Sequence, residues 1–216
     1  LTPPARACRV IVFLDYWNFQ IGWNQRAPLS SGKRTQCDFL ALPSESVALA
    51  EGALSAFDRS PLHLIQTRVY ASHDRDNVKD LKNREWMHQL MGQRDDFVVR
   101  NAPRLTRSEP TRCRACAHEV STCPNCQRPY TRAAEKTVDA AIIVDLLSLA
   151  WDGLYDVALL ISSDHDFLPV IDTLHHHHMR VINGRWDDQG TRLADRCDAS
   201  IRLDALVPIL SRRPRP

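Results

Sequence analysis

The sequence predicts an α/β fold: a central, mainly parallel sheet with helices on both faces, carrying a small cysteine-rich insertion. Three observations lead there. Short apolar, β-branched runs such as Arg9–Leu14 and Asp156–Ser162 have the composition of buried central strands. Between such runs lie stretches whose apolar residues recur at helical spacing, and strands alternating with helices build parallel sheets. The first run ends at Asp15, the other in a segment that holds Asp164, and such sheets bind ligands beyond the carboxyl ends of their strands.

The elements follow in order. Arg9–Leu14 is the first strand. Residues 25–37 carry Pro, Ser, Gly and charge and read as a loop. Pro43–Phe57 is a helix, with Val47, Ala50, Leu54 and Phe57 on one face. Leu62–Ser72 is a second strand, Asp76–Gln93 an exposed helix and Asp96–Arg100 a short third strand. After the cysteine segment, Ala133–Ala150 is a strong helix with Val138, Ile142, Leu146, Leu149 and Ala150 in a stripe. Asp156–Ser162 is a strand, Phe167–Leu174 a helix and Met179–Ile182 a strand. Thr191–Cys197 is a short helix, Ser200–Leu203 a last strand and Leu206–Leu210 a final helical turn. The reading is one domain over residues 8–210, interrupted by an insertion over 107–131 and followed by a loose tail over 211–216. No internal repeat is visible.

Composition supports this. The chain has 216 residues, 44% hydrophobic and 25% charged, which excludes a disordered, collagen-like or coiled-coil chain. Its apolar runs reach about six residues, whereas a membrane span needs about 20. No charged-then-apolar leader opens the sequence, so the expectation is a cytoplasmic protein without a membrane partner. The net charge of +2 does not establish a nucleic-acid partner. Its distribution says more. Residues 103–132 hold six arginines against Glu109 and Glu119. Such a segment suits phosphate contact, and equally a merely solvated loop.

Four of the seven cysteines form Cys113-x2-Cys116-x6-Cys123-x2-Cys126. Two CxxC pairs can supply four thiolates to one tetrahedral zinc ion. The surrounding residues 112–130 are almost devoid of apolar side chains, so a metal staple suits them better than burial. A disulfide pair needs an oxidising compartment. A redox CxxC needs a helix N-terminus. Structural Zn²⁺ is therefore the expectation. Cys8, Cys37 and Cys197 lie apart and read as core or surface thiols.

The carboxylates carry the chemistry. The first strand leads into Asp15-Tyr-Trp-Asn18, and the later one into Ser162-Ser-Asp164-His-Asp166-Phe167. The long helix between them opens Glu135-Lys136-Thr-Val-Asp139. Carboxylates converging on one crevice repel one another unless cations lie among them. Hard oxygen donors suit Mg²⁺ or Mn²⁺, and such ions act on phosphate substrates. Each residue has a plainer reading too. Asp15 or Asp164 can cap a helix, Asp139 can answer a helix dipole and Asn18 can cap a turn. Asp145 lies six residues beyond Asp139, about 240° round the helix, so it reads as structural.

Taken in order, Asp15-x-x-Asn18, Glu-Lys136-x-x-Asp139 and Ser-x-Asp164-x-Asp166-Phe resemble the NYN domain, a PIN-like ribonuclease family that includes LabA-type bacterial proteins. The likeness covers about residues 9–207, with Glu135–Val170 the closest stretch. It implies a PIN-like, Rossmannoid three-layer fold and metal-dependent hydrolysis of RNA phosphodiesters. Cutting is expected to be endonucleolytic, leaving 5′-phosphate and 3′-hydroxyl ends. By the same resemblance Asp15, Asp139, Asp164 and Asp166 hold Mg²⁺ or Mn²⁺, Asn18 orients water or a phosphate oxygen, and Lys136 meets a phosphate. The family commonly has Gly where Thr137 and Ser163 stand here, which are mild departures.

The cysteine insertion is the larger departure. The expectation is a zinc knuckle that contacts RNA through Arg112, Arg114 and Arg128, with Tyr130 stacking a base. A knuckle that only braces the loop, or binds protein, is the plainer reading, and a homo-oligomer or protein partner stays open. Rival functions are a non-cleaving RNA-binding or scaffold module and a structure-specific DNA nuclease of related fold.

Overall fold

The computed structural model describes residues 7–30, 32–54, 60–108, 110–134 and 137–212. In chain order the sheet and its helices are β1 (Cys8–Asp15), α1 (Tyr16–Arg26), α2 (Leu42–Leu54), β2 (Leu62–Asp74), α3 (Val78–Leu90), β3 (Phe97–Ser108) and β4 (Thr131–Ala134). Then come α4 (Thr137–Trp151), β5 (Val157–Ile161), α5 (Leu168–His176), β6 (Arg180–Arg185), α6 (Thr191–Ala194), β7 (Ala199–Arg202) and α7 (Val207–Leu210). Among the described residues the main sheet runs β7-β6-β5-β1-β2-β3-β4. Every pairing in it is parallel except β3 with β4.

Both faces of the central strands are covered, and the period-2 alternation of a strand shows it. Val10, Val12 and Leu14 face one core, with α1, α2 and α3. Ile11 and Phe13 face the other, with α4 and α5. Each large side chain so buried contributes about 1.5–3 kcal/mol. Helix α4 stops at a left-handed Gly153, where the Leu154 amide bonds the Leu149 carbonyl. Of its predicted stripe, Val138, Ile142, Leu146 and Leu149 are buried and Ala150 is partly buried. No helix of the described residues is long and apolar enough to cross a membrane.

Five local expectations change. Helix α1 starts directly after β1, where no element was predicted. Asp15 caps it, and Tyr16, Phe19 and Trp23 form its buried face. Residues 25–37 are more ordered than a plain loop: Leu29–Ser30 pairs with Lys33–Arg34, and Gln36–Cys37 pairs with Ser211–Arg212. The start of the expected loose tail is thus a paired strand, while residues 213–216 lie outside the described ones. Ala133 and Ala134 belong to β4 rather than to α4, because antiparallel pairing with β3 takes their backbone (Leu105 opposite Ala134). That pairing also carries β3 eight residues past its expected end, and the cysteine segment lies between these two strands.

Asp145 is structural, as its helical offset implies. Its Oδ2 receives the Arg68 guanidinium at 2.8 Å, the Arg100 Nε at 2.8 Å and the Tyr70 hydroxyl at 2.7 Å.

Candidate active site at the carboxyl edge of the sheet

Strands β1 and β5 run side by side in parallel, with Leu14 opposite Ile161. Asp15 and Ser162 follow at the same edge. Here the chain order reverses: β1 leads to β2 on one side, and β5 leads to β6 on the other. Such a switch point leaves a crevice between the departing loops.

Short polar contacts build the crevice. The Ser162 hydroxyl donates to Asp15 Oδ2 at 3.1 Å and accepts the Asp164 amide at 3.2 Å. Asp15 Oδ1 accepts the Asn18 amide at 3.3 Å, and Asn18 Oδ1 in turn accepts the Ser163 amide at 2.9 Å. Asn183, fully buried in β6, donates to the carbonyls of Leu160 and Ser162 at 3.1 and 2.8 Å. The strand end that carries Asp164 is therefore held from both sides. Asp164 Oδ1 accepts the Asp166 amide at 2.9 Å and caps the short helical turn His165–Phe167.

The result is a recess of about 230 Å³ lined by Asp15, Trp17, Val138, Asp139 and Asp164. Asp15 is 7% exposed; Asp139 and Asp164 are half-buried. Asp139 reaches the recess because α4 begins above it, with Val138 anchored in the core beside it. Among the described residues no basic side chain lines the recess. Carboxylates gathered in one small space repel one another unless cations lie among them, and an all-oxygen donor set of this charge fits a hard divalent ion. The residues present thus fit Mg²⁺ or Mn²⁺.

Asp15, Asp139 and Asp164, far apart in sequence, converge as expected. Asp166 stands at the rim, exposed and outside the lining. Its carboxylate, that of Asp164 and the ring of His165 have atoms within 4.8 Å of one another, and the imidazole lies 3.8 Å from Asp164 and 3.7 Å from Asp166. Asn18 adjoins the recess, with its carbonyl engaged by Ser163. Lys136 lies outside the described residues. Sequence reasoning missed Ser162 as the link between two acids. Its only signal was a hydroxyl at the end of an apolar run. Trp17, two residues after Asp15, is half-buried, and its indole N–H donates to the Ser72 carbonyl at 2.7 Å.

The cysteine segment holds two matching knuckles. Cys113 and Cys123 each donate an amide to the carbonyl five residues on, and each accepts the amide four residues on. That fourth residue, Ala117 or Gln127, is left-handed in both (φ 58 and 56). The ten-residue repeat was not seen in the sequence. Backbone N–H groups of Cys116 and Ala115 aim at the Cys113 sulfur, and those of Cys126 and Asn125 at Cys123, holding both thiols below their ordinary pKa. Each knuckle brings its own two sulfurs together, and among the described residues no three thiols meet within mutual ligand distance. The Tyr130 hydroxyl bonds the Cys123 sulfur. Arg112 pairs with Glu119 at 3.0 Å, while Arg114 and Arg128 are exposed.

Fold and site together define a class: a doubly wound α/β protein with an acidic crevice at its switch point. The NYN domain model matches residues 9–204, and the chain belongs to that PIN-like, nuclease-type family. A crystal structure of a protein of unknown function from Vibrio parahaemolyticus is similar in fold, with a TM-score of 0.51 and 16% identity over 92% of this chain and 96% of that one. No curated protein matches the chain.

Proposed function

We propose that the protein is a Mg²⁺- or Mn²⁺-dependent ribonuclease that hydrolyses RNA phosphodiester bonds, acting in the cytoplasm. The observation that carries this reading is the recess where Asp15, Asp139 and Asp164 converge. A divalent ion held there supplies a counter-charge for the phosphate and lowers the pKa of an attacking water. The chain does the rest. Asp15, Asp139 and Asp164 hold the ion, and Ser162 fixes the relative position of two of them. Asn18 locks the loop after β5. Asp166, at the rim beside Asp164, is a further ligand or outer-shell acid for the ion. Lys136 meets a phosphate.

In this reading a structural Zn²⁺ ion would draw the two thiol pairs, Cys113 with Cys116 and Cys123 with Cys126, into one four-thiolate site. Amide-directed sulfurs and a soft, all-sulfur donor set favour zinc. Arg112, Arg114 and Arg128 then present charge to RNA phosphates, and Tyr130 braces the Cys123 ligand. The Arg112–Glu119 pair is exposed, so it is worth little and can yield to a phosphate.

The test uses zinc-loaded protein with labelled single-stranded RNA, structured RNA and matched DNA, in Mn²⁺, Mg²⁺ or EDTA, beside Asp164→Asn. RNA cleavage that requires both the ion and Asp164 supports the reading. RNA bound but never cut replaces it with a binding module, and preferential cutting of DNA replaces it with a DNA nuclease. Zinc content measured at one per chain and lost in Cys113→Ser supports the knuckle; a zinc-free, equally stable protein overturns it.

A further inference from the structure

A second concavity adjoins the acidic recess. It is a groove of about 630 Å³ between α1 and α3, and Trp17 is part of the walls of both. Helix α3 contributes Lys79, Lys82, Asn83 and Trp86. These positions are i, i+3, i+4 and i+7, one face of a helix. On an ordinary surface helix that stripe is apolar and packed against the core. Here it holds two exposed lysines, an amide and a half-exposed indole. Across the groove α1 presents Gln20 and Asn24, joined by a 2.8 Å hydrogen bond, and Arg34 adds a third exposed cation.

The floor is rigid. Tyr16 and Phe39 are buried and stack at a tilt, with centroids 5.5 Å apart. The Tyr16 hydroxyl donates to Asn83 Oδ1 at 3.0 Å, which leaves the Asn83 amide nitrogen as that side chain's donor end. Trp86 meets Phe39 edge-on at 5.6 Å, so the indole is held in place. The acid in the wall, Asp80, is paired with Arg104. The guanidinium of Arg104 also lies 5.4 Å from the Trp17 ring.

We infer that this groove seats an unpaired nucleobase of the RNA strand beside the scissile phosphate. The base lies against Trp86, and Lys79, Lys82 and Arg34 take the flanking phosphates. The inference rests on the ribonuclease reading and extends it to the substrate's shape. An indole face beside cations and amide donors is the chemistry that binds single strands, where stacking is worth about 1–3 kcal/mol per base. The groove's volume lies within the range of about 300–1,000 Å³ typical of small-molecule pockets, enough for one nucleotide. A base inside a duplex is stacked and paired on every side and cannot enter. The enzyme therefore prefers single-stranded RNA, and the preference comes from this groove rather than from the acids.

The test measures binding and cleavage separately. Fluorescence anisotropy with zinc-loaded Asp164→Asn protein gives the affinity for a short single-stranded RNA, and for the same RNA with one abasic ribose placed at successive positions. Trp86→Ala in that background is expected to weaken binding about tenfold, within the range for one stacked base. Trp86→Tyr keeps most of the affinity, and Lys79→Ala/Lys82→Ala, at exposed positions, lowers the salt dependence. At one register the abasic RNA binds as weakly as Trp86→Ala does, and combining the two adds nothing. A folded Trp86→Tyr and a folded double-lysine variant that both bind like the parent, together with no sensitive abasic position, overturn the inference. The two readings fail separately. If the otherwise wild-type protein cuts nothing but Trp86→Ala still weakens binding, the groove stands and the nuclease reading falls. If Trp86→Ala in the wild-type background cuts with unchanged KM, the groove falls and the nuclease stands.

Discussion

The Ser162 hydroxyl donates to Asp15 Oδ2 at 3.1 Å across the seam between β1 and β5, and the same oxygen accepts the Asp164 amide. One side chain thus sets the spacing of two acids that are 149 residues apart in the chain. Ser162→Ala removes this link and takes one hydrogen bond from a buried carboxylate. The expected outcome is a folded protein destabilised by about 1–3 kcal/mol, the cost of such a loss. Its kcat/KM on RNA should fall about tenfold, because misplaced acids weaken positioning of the reacting groups. Urea unfolding and steady-state kinetics on one preparation check both.

Ion binding should be visible without any substrate. Mn²⁺ at about 100 times its Kd stabilises the native state by about 2.7 kcal/mol. For a chain of this length that is about 5–10 °C in Tm. Asp139→Asn removes one donor from the recess and should abolish most of the Mn²⁺-dependent rise. Thermal unfolding of both proteins with and without Mn²⁺ checks it. An equal rise in both would place the ion elsewhere.

Asp145 separates stability from chemistry on the same helix as Asp139. Three donors converge on its Oδ2, from Arg68, Arg100 and Tyr70. Asp145→Ala strands the mostly buried Arg68 guanidinium and should cost about 3–5 kcal/mol. Asp145→Asn keeps an acceptor and should cost less. Denaturant melts give the loss, and cleavage per folded molecule should stay unchanged, because Asp145 is not part of the recess.

Alkaline pH should unfold the protein in part through Tyr16. Burial pushes its phenol up to about 12, only partly opposed by the hydrogen bond to Asn83. The raised value means that the folded state keeps its proton after the unfolded state has lost it. This contribution is complete below about pH 10 and is lost as the pH rises from 10 towards 12, a span of about 2–3 kcal/mol. Burial raises Tyr70 and Tyr155 as well, so they add loss of the same sign. Tyr16→Phe should flatten that part of the stability–pH curve, read from urea melts at pH 9–12.

Much of the frame was legible because its signals are local. Arg9–Leu14 and Asp156–Ser162 announce buried strands by apolar runs, and Val138, Ile142, Leu146 and Leu149 announce α4 by spacing alone. Helix α1 was not legible: its sequence Tyr16–Arg26 mixes amides, tryptophans and a glycine, and its stability comes from the Asp15 cap and a core face supplied by distant strands. Strand β4 was misread because Ala133 and Ala134 favour helix, and only pairing with β3 outweighs that preference. In the cysteine segment the spacing pointed to paired knuckles, while the left-handed Ala117 and Gln127 that close each turn carry no glycine to reveal them.

By itself the sequence determined every strand of the main sheet but β4, most helices and which acids end them, because hydrophobic period and turn chemistry act over a few residues. It also determined the two CxxC pairs, since metal-ligand spacing is a property of the chain. Only the tertiary structure decided that Asp15, Asp139 and Asp164 share one recess while Asp166 stays at the rim. It alone placed Ser162 between two carboxylates and turned one face of α3 into a groove beside Trp17. The physical reason is strand order. Parallel pairing of β1 with β5 joins segments some 150 residues apart, and no local preference encodes which strand becomes the neighbour.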